Sequence, residues 1–252
     1  MTRPCGDASP SPPDASPRPA LSVVILCHQA AAVAPRIVPP LAAGLEAAGV
    51  AHEIILVANI PPGAPPDPTP DVLRALAAQN PRIRVVSLPK QGGMSWDMRT
   101  GLEAARGDAL AVVDGDGQIP MEDVLRTYRV FRETGADIAK TRRLSREDGP
   151  LRRAISALYN AFFRLLWPSS TFRDVNAKPK IISRAAYSRL RLRSTEWFID
   201  AEIMIQALSL GLRVAEIPAT AFHRKERPSR PSLRTLLAFF AALLRCRIFP
   251  PR

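Results

Sequence analysis

Two carboxylates and an amide stand at alternate positions just after an apolar run, in Val112-Val113-Asp114-Gly115-Asp116-Gly117-Gln118. On an extended backbone alternate side chains point to one side. The spacing therefore predicts that Asp114, Asp116 and Gln118 gather three oxygen donors at the end of a strand. Such a set suits a hard divalent cation, Mg²⁺ or Mn²⁺, whose shell is completed by water and phosphate oxygens. Gly115 and Gly117 allow a ligand close to the backbone. The same residues also suit an Asp-Gly turn between strand and helix, with the carboxylates accepting from backbone amides.

Other side chains offer different chemistry. Asp200 and Glu202 open a helical stretch and are candidate general bases for a hydroxyl acceptor. Asp200 equally suits an N-cap. Arg224, Lys225, Arg227 and Arg230 follow His223 as a basic run, read as a phosphate grip or as a solvated face. His28, His52 and His223 are scattered and lack zinc-ligand spacing. Gly92-Gly93 is not followed by Gly-Lys-Ser/Thr, so it is not a Walker-type phosphate loop.

The elements that must hold these residues alternate. Leu21 to Leu26 is a continuous, β-branched-rich run and Ala109 to Val113 is apolar throughout, the mark of buried parallel strands; Glu53 to Val57 and Ile83 to Leu88 read as two further strands. Between them lie helical stretches. Ala32 to Ala48 carries Pro35, Pro39 and Pro40 and is expected to break or to start late. Asp71 is expected to cap a helix through Gln79, and Ser95 to Arg106 forms the next. Such alternation means a mostly parallel sheet with helices on both faces. Later elements are helices over Met121 to Thr134, Leu151 to Trp167 and Asp200 to Leu210, with short strands over Asp137 to Lys140 and Arg213 to Ile217. Residues 168 to 184 read as loop and strand.

The chain has 252 residues, 46 % of them apolar, enough for one α/β domain with a sizeable core. Residues 1–19 are rich in Pro, Ser and Asp and read as a disordered tail. Residues 20–228 form the domain, and 229–252 a basic amphipathic segment. Lys and Arg number 35 against 23 acidic residues, a net +12 that favours anionic partners without choosing among them. No interleaved aromatic and basic motif supports a nucleic-acid partner. Cys5, Cys27 and Cys246 are few and far apart, which fits a reducing cytoplasmic compartment. No apolar run reaches the ~18 to 20 residues that span a bilayer. Leu233, Leu236, Leu237, Phe240, Leu243 and Leu244 instead form a helical stripe flanked by arginines, suited to a membrane interface.

Four segments, in order, resemble glycosyltransferase family 2, and in particular its polyprenyl-phosphate (including dolichyl-phosphate) sugar transferase branch. They are Leu21 to Ile25; Lys90-Gln91-Gly92-Gly93 with Thr100 to Asp108; Asp114-Gly115-Asp116-Gly117-Gln118-Ile119-Pro120; and Trp197 to Glu202 through Gly211 to Pro218. The resemblance implies a GT-A (Rossmann-like) α/β fold and a metal-dependent, inverting transfer of a sugar from a nucleotide-sugar donor. It implies a polyprenyl phosphate acceptor at the cytoplasmic, inner face of the membrane, with a peripheral membrane contact. A soluble hydroxyl acceptor, or a non-catalytic homologue that binds nucleotide or membrane, are the alternatives. Asp114, Asp116 and Gln118 match the metal and diphosphate ligands, with Asp116 and Asp200 as catalytic residues. Arg143 stands where the family keeps a basic residue near the substrates, or is a solvated arginine beside Arg142. Asn59, Lys90, Asp114, Arg224 and Arg230 are the expected nucleotide-sugar contacts. Three places depart from the pattern. Ala58-Asn59-Ile60-Pro61-Pro62-Gly63 replaces the acidic pair that grips the nucleoside. Gln29-Ala30 replaces Asn-Glu. Lys178-Pro179-Lys180 replaces a Gly-Phe-Arg type turn after Asp174.

Overall fold

The computed structural model describes residues 18–144, 150–221 and 233–249. Four strands, β1 (Leu21–Leu26), β2 (His52–Val57), β3 (Ile83–Val86) and β4 (Ala109–Asp114), pair in parallel in the order β3-β2-β1-β4. All six residues of β1 and of β2 are buried. This is why these strands are largely apolar rather than alternating, and where they are polar Ser22 Oγ donates to Glu53 Oε1 at 2.6 Å. Beyond β4 the sheet continues as β6 (Lys180–Ser183), β5 (Ile138–Arg142) and β7 (Val214–Pro218). β6 runs antiparallel to both its neighbours, and β5 and β7 are parallel.

Helices cover both faces. α1 (Ala34–Ala47) and α4 (Glu122–Thr134) share one core with the face carrying Val23, Ile25, Ile54, Leu56, Ala111 and Val113. α3 (Met94–Ala104) and α7 (Ile199–Ser209) share the other with Val24, Ile55, Val57 and Val112. α3 reaches the sheet so closely that a Cβ on Gly101 would lie 2.3 Å from Val24 Cγ1. α2 (Thr69–Gln79) lies against β3, and α6 (Arg184–Arg189) directly follows β6.

Local expectations are corrected in two places. α1 is one continuous helix through Pro39 and Pro40. Both prolines are solvent-exposed, so water can satisfy the carbonyls whose N–H partners are missing. α2 begins at Thr69, and its start is bound by Asp67, whose Oδ1 accepts from Thr69 N at 2.9 Å and from Thr69 Oγ1 at 2.6 Å. Asp71 lies one turn in and pairs with Arg74 instead.

Two helices far apart in the chain form an appendage. α5 (Pro150–Leu166) packs on α8 (Leu233–Ile248) through edge-on aromatic pairs, Tyr159 with Phe240 at 5.9 Å and Phe162 with Phe240 at 5.2 Å. Tyr159, Phe163 and Leu243 turn inward and join the core. The outward side keeps Leu158, Leu165, Leu237, Leu244 and Ile248 exposed. No helix among the described residues is long and apolar enough to cross a membrane.

Candidate active site at the carboxyl edge of the sheet

β1, β4 and β5 end along one edge of the sheet, and antiparallel β6 begins there, with Lys180 opposite Val112. Open α/β sheets place ligands at such an edge. Asp114 is the last residue of β4. The chain then leaves the sheet, and Gly117 turns it with φ +73°. Asp116 Oδ1 accepts from Gln118 N at 3.1 Å. The expected extended alternation from 114 to 118 is therefore corrected: these residues sit on an Asx-type turn. The β geometry ends where pairing to β1 ends, and Gly115 already crowds Leu26 O, 2.8 Å from where its Cβ would be.

No described group of three or more His, Cys, Asp or Glu is placed to hold a metal ion. The donor set is two carboxylates and the Gln118 amide. The Asp114 side chain is 36 % exposed, so its oxygens face solvent on one side. The two partly exposed carboxylates fit Mg²⁺ or Mn²⁺ with a partly water and phosphate shell, whereas Gln118 is buried, with 4 % exposure.

What the turn meets on its inner side is a buried charge network. Lys178 Nζ lies 3.1 Å from Asp114 Oδ1 and 3.0 Å from Asp200 Oδ2. Lys180 Nζ reaches the other Asp200 oxygen at 2.6 Å. Arg143 grips Asp174 with two parallel bonds of 2.7 Å, the fork geometry that makes such pairs strong. Lys140, fully buried on β5, binds Glu216 at 2.9 Å and donates to the carbonyl of Asp174. Lys140 and Lys180 face each other across β5 and β6, an arrangement that acidic partners must offset. Four cations, Lys140, Arg143, Lys178 and Lys180, are matched by four acids, Asp114, Asp174, Asp200 and Glu216. That balance permits the burial, because an unpaired charge here would cost several kcal/mol.

The protonation states follow. Burial alone would raise the Asp174 carboxyl, but Arg143 and Lys140 hold it well below the usual carboxylate range. Burial also opposes ionisation of Asp200, and Lys178 and Lys180 outweigh it, so its carboxyl is held down too. Burial pushes the Lys180 ammonium down to about 8 despite Asp200. For Lys178 the two carboxylates win over burial and raise it.

The expectation of Asp200 as a proton acceptor is corrected by this setting. A carboxylate of depressed pKa, buried between two ammonium groups, is a weak base. Nor does Asp200 cap its helix, since the cap position is Phe198 and carries no side-chain cap bond. Glu202 is also engaged, accepting from the backbone amides of Arg193 at 2.8 Å and Ser194 at 3.0 Å. Arg143 is only 12 % exposed and tied to Asp174, rather than solvated beside Arg142.

The expected nucleotide side is closed. Asn59 is 5 % exposed and its amide is fully used. Nδ2 donates to Asp97 Oδ1 at 3.0 Å and to Thr100 Oγ1 at 2.9 Å, while Oδ1 accepts from Leu88 N at 2.8 Å. Lys90 is bound to the other oxygen of Asp97. Asn59 and Lys90 thus tie β2 and the chain after β3 to α3, which corrects their reading as contacts to the donor. Gly92 and Gly93 serve packing. A Cβ on either would lie 2.5 Å from the carbonyl oxygens of Thr195 or Glu196. Those carbonyls accept from Gly93 N, Ser95 N and Trp96 N at the start of α3. Arg224 and Arg230 lie outside the described residues.

Sequence reasoning missed the lysine network. The signal was present: Lys140, Lys178 and Lys180 interrupt apolar stretches, and lysine is almost never fully buried unless paired.

The α/β sheet order and the helices on both its faces make the fold one of the GT-A type. The family model of glycosyl transferase family 2 matches residues 22–198, and the chain belongs to that family. It is 33 % identical over 158 residues to the glycosyltransferase AglD of Haloferax volcanii, a match covering 60 % of this chain and 25 % of that protein. It is 28 % identical over 207 residues to the undecaprenyl-phosphate 4-deoxy-4-formamido-L-arabinose transferase of Edwardsiella ictaluri, covering 81 % and 60 %. The chain thus matches only part of the length of these relatives. Among solved structures, glucosyl-3-phosphoglycerate synthase from Mycobacterium tuberculosis, crystallised with Mn²⁺, uridine diphosphate and phosphoglyceric acid, superposes with a TM-score of 0.71 over 93 % of this chain and 80 % of that one, at 20 % identity.

Proposed function

We propose that this protein transfers a sugar from a nucleotide-sugar donor to a polyprenyl phosphate, with inversion at the anomeric carbon and with a divalent cation, at the cytoplasmic face of the membrane. The observation that carries the reading is the Asp114-Asp116 turn at the end of β4, backed by buried cations, in a family 2 chain. Asp114, Asp116 and Gln118 would hold Mg²⁺ or Mn²⁺. When bound, that ion neutralises the diphosphate leaving group.

The chain's own groups account for the rest. The buried ion pairs hold the edge beside the turn in one arrangement, so that it need not reorganise during transfer. Asp200 is held between two ammonium groups, and Glu202 accepts from the backbone amides of Arg193 and Ser194. A phosphate acceptor needs no such base, because its attacking oxygen is already anionic, whereas a hydroxyl acceptor would need one. That contrast favours the lipid phosphate over a soluble hydroxyl.

The appendage suits the same acceptor. On α8 the exposed Leu237, Leu244 and Ile248 recur at helical spacing, and exposed Arg245 and Arg247 flank them. α5 adds Leu158 and Leu165 with Arg153 and Arg164. Apolar side chains rimmed by arginines match an interface rich in anionic lipid. α5 also supports the loop that carries Lys178, since Asn160 Oδ1 accepts from Val175 N at 3.0 Å and Phe163 lies 5.7 Å from Phe172.

The test is a transfer assay of the full chain with a panel of nucleotide sugars, Mn²⁺ or Mg²⁺, and polyprenyl phosphate in anionic vesicles. Labelled, lipid-extractable product that requires metal is expected. Product on a soluble alcohol only would replace the lipid acceptor. No turnover of any donor, with intact nucleotide binding, would make this a binding homologue.

A further inference from the structure

We infer that Lys178 is a resident counter-cation that competes with the divalent ion for Asp114, and that Asp200 is the seat that keeps its ammonium at the site when Asp114 is taken. This rests on Asp114 being a metal ligand, as proposed above.

The two carboxylates that share Lys178 differ in surroundings. Nζ lies 3.1 Å and 3.4 Å from the two Asp114 oxygens and 3.0 Å from Asp200 Oδ2. The Asp200 and Lys178 side chains are each 3 % exposed, but that of Asp114 is 36 % exposed. A hydrated dication can therefore approach Asp114 and not Asp200. Two cations on one carboxylate repel each other, so binding at Asp114 must weaken its hold on Lys178.

The lysine stem cannot leave. Its carbonyl accepts from Thr141 Oγ1 at 2.7 Å, and the next carbonyl, of Pro179, accepts from Thr141 N at 3.1 Å. Among the described residues, Met94 Sδ lies 3.9 Å from the ammonium, and the Lys180 ammonium shares Asp200 with it. Only the ammonium end is free to shift, and Asp200 holds it on the buried side. A cation thus remains beside the turn in either state.

The competition can be read without substrate, by titrating the full chain with Mn²⁺ alone and measuring free Mn²⁺ by electron paramagnetic resonance. Lys178→Met should bind Mn²⁺ about tenfold or more tightly than wild type, because a unit positive charge within a few ångströms of the ion has gone. A merely structural lysine predicts the opposite, since its loss would loosen the turn. Should Lys178→Met fail to fold, the charge-balanced Lys178→Met/Asp200→Asn variant is compared with Asp200→Asn alone, and the double variant should bind more tightly. Equal or weaker binding when Lys178 is removed, from a wild type that does bind Mn²⁺, overturns the inference and leaves the metal reading standing. If Asp114→Asn binds Mn²⁺ as well as wild type does, the metal reading itself fails and the inference falls with it.

Discussion

Two polar networks lie along the same edge of the sheet and behave differently. Around the ends of β2 and β3, Asn59, Lys90, Asp97 and Thr100 bond one another in a buried cluster, and the N-terminus of α3 is capped by the carbonyls of Thr195 and Glu196. Around β4, β6 and β5 the network is equally balanced in charge but opens to solvent at one carboxylate, Asp114. A closed network rigidifies, whereas an open one retains a group that can exchange partners. Family likeness alone would place donor contacts on both sides. The geometry concentrates the exchangeable chemistry on the second.

The largest effect that would sharpen this contrast is expected at the turn. Asp116→Ala should lower sugar transfer by about two orders of magnitude or more, as loss of several kcal/mol of charge stabilisation requires. Its melting temperature should stay close to wild type, because the residue lies on an open turn. Wild-type rates at ordinary Mg²⁺ or Mn²⁺ would remove Asp116 from the site.

Within the open network, Asp174→Asn should destabilise the fold by about 3–5 kcal/mol, because the buried Arg143 guanidinium loses the carboxylate that binds it through two hydrogen bonds. The effect should depend on pH. The folded carboxyl is held far below its unfolded value of about 3.9. Below about pH 4 the unfolded chain takes up this proton while the folded chain does not, so the stabilisation is present at neutral pH and lost as the pH falls. Urea midpoints between pH 3 and 7 should converge for wild type and variant toward the acid end. Parallel curves would mean that the ion pair does not set the acid limb.

Asn59→Asp tests the closed side. It replaces a donor, 3.0 Å from Asp97 Oδ1, by a second carboxylate. A cost of about 1–3 kcal/mol is expected in chemical denaturation, with no gain in nucleotide affinity by calorimetry. Tighter nucleotide binding would reopen this side as a donor site.

The smallest effect concerns the appendage. Changing Arg245 and Arg247 to Gln should weaken flotation with anionic vesicles by about 1 kcal/mol per charge at low salt, without altering stability. Unchanged flotation would separate α8 from the membrane.

The sequence by itself determined the strands that carry the site. Stretches such as Leu21 to Leu26 and Ala109 to Val113 are dictated by burial on both faces, which leaves little choice of side chain. It also determined that acidic residues follow β4, because a strand end and an Asp-Gly motif are local features. It did not determine that Asp114 to Gln118 turn rather than extend, since that depends on where pairing to β1 stops. Nor did it determine that Asn59 and Lys90 face inward to Asp97, 38 and 7 residues away. The antiparallel insertion of β6 was likewise decided only in three dimensions, and it brings Lys178 and Lys180 to Asp200 across about 20 residues of chain. Charge pairs between distant segments leave no periodicity to read. A buried lysine in the sequence says only that a partner must exist, and tertiary packing alone decides which carboxylate it meets and whether water reaches it.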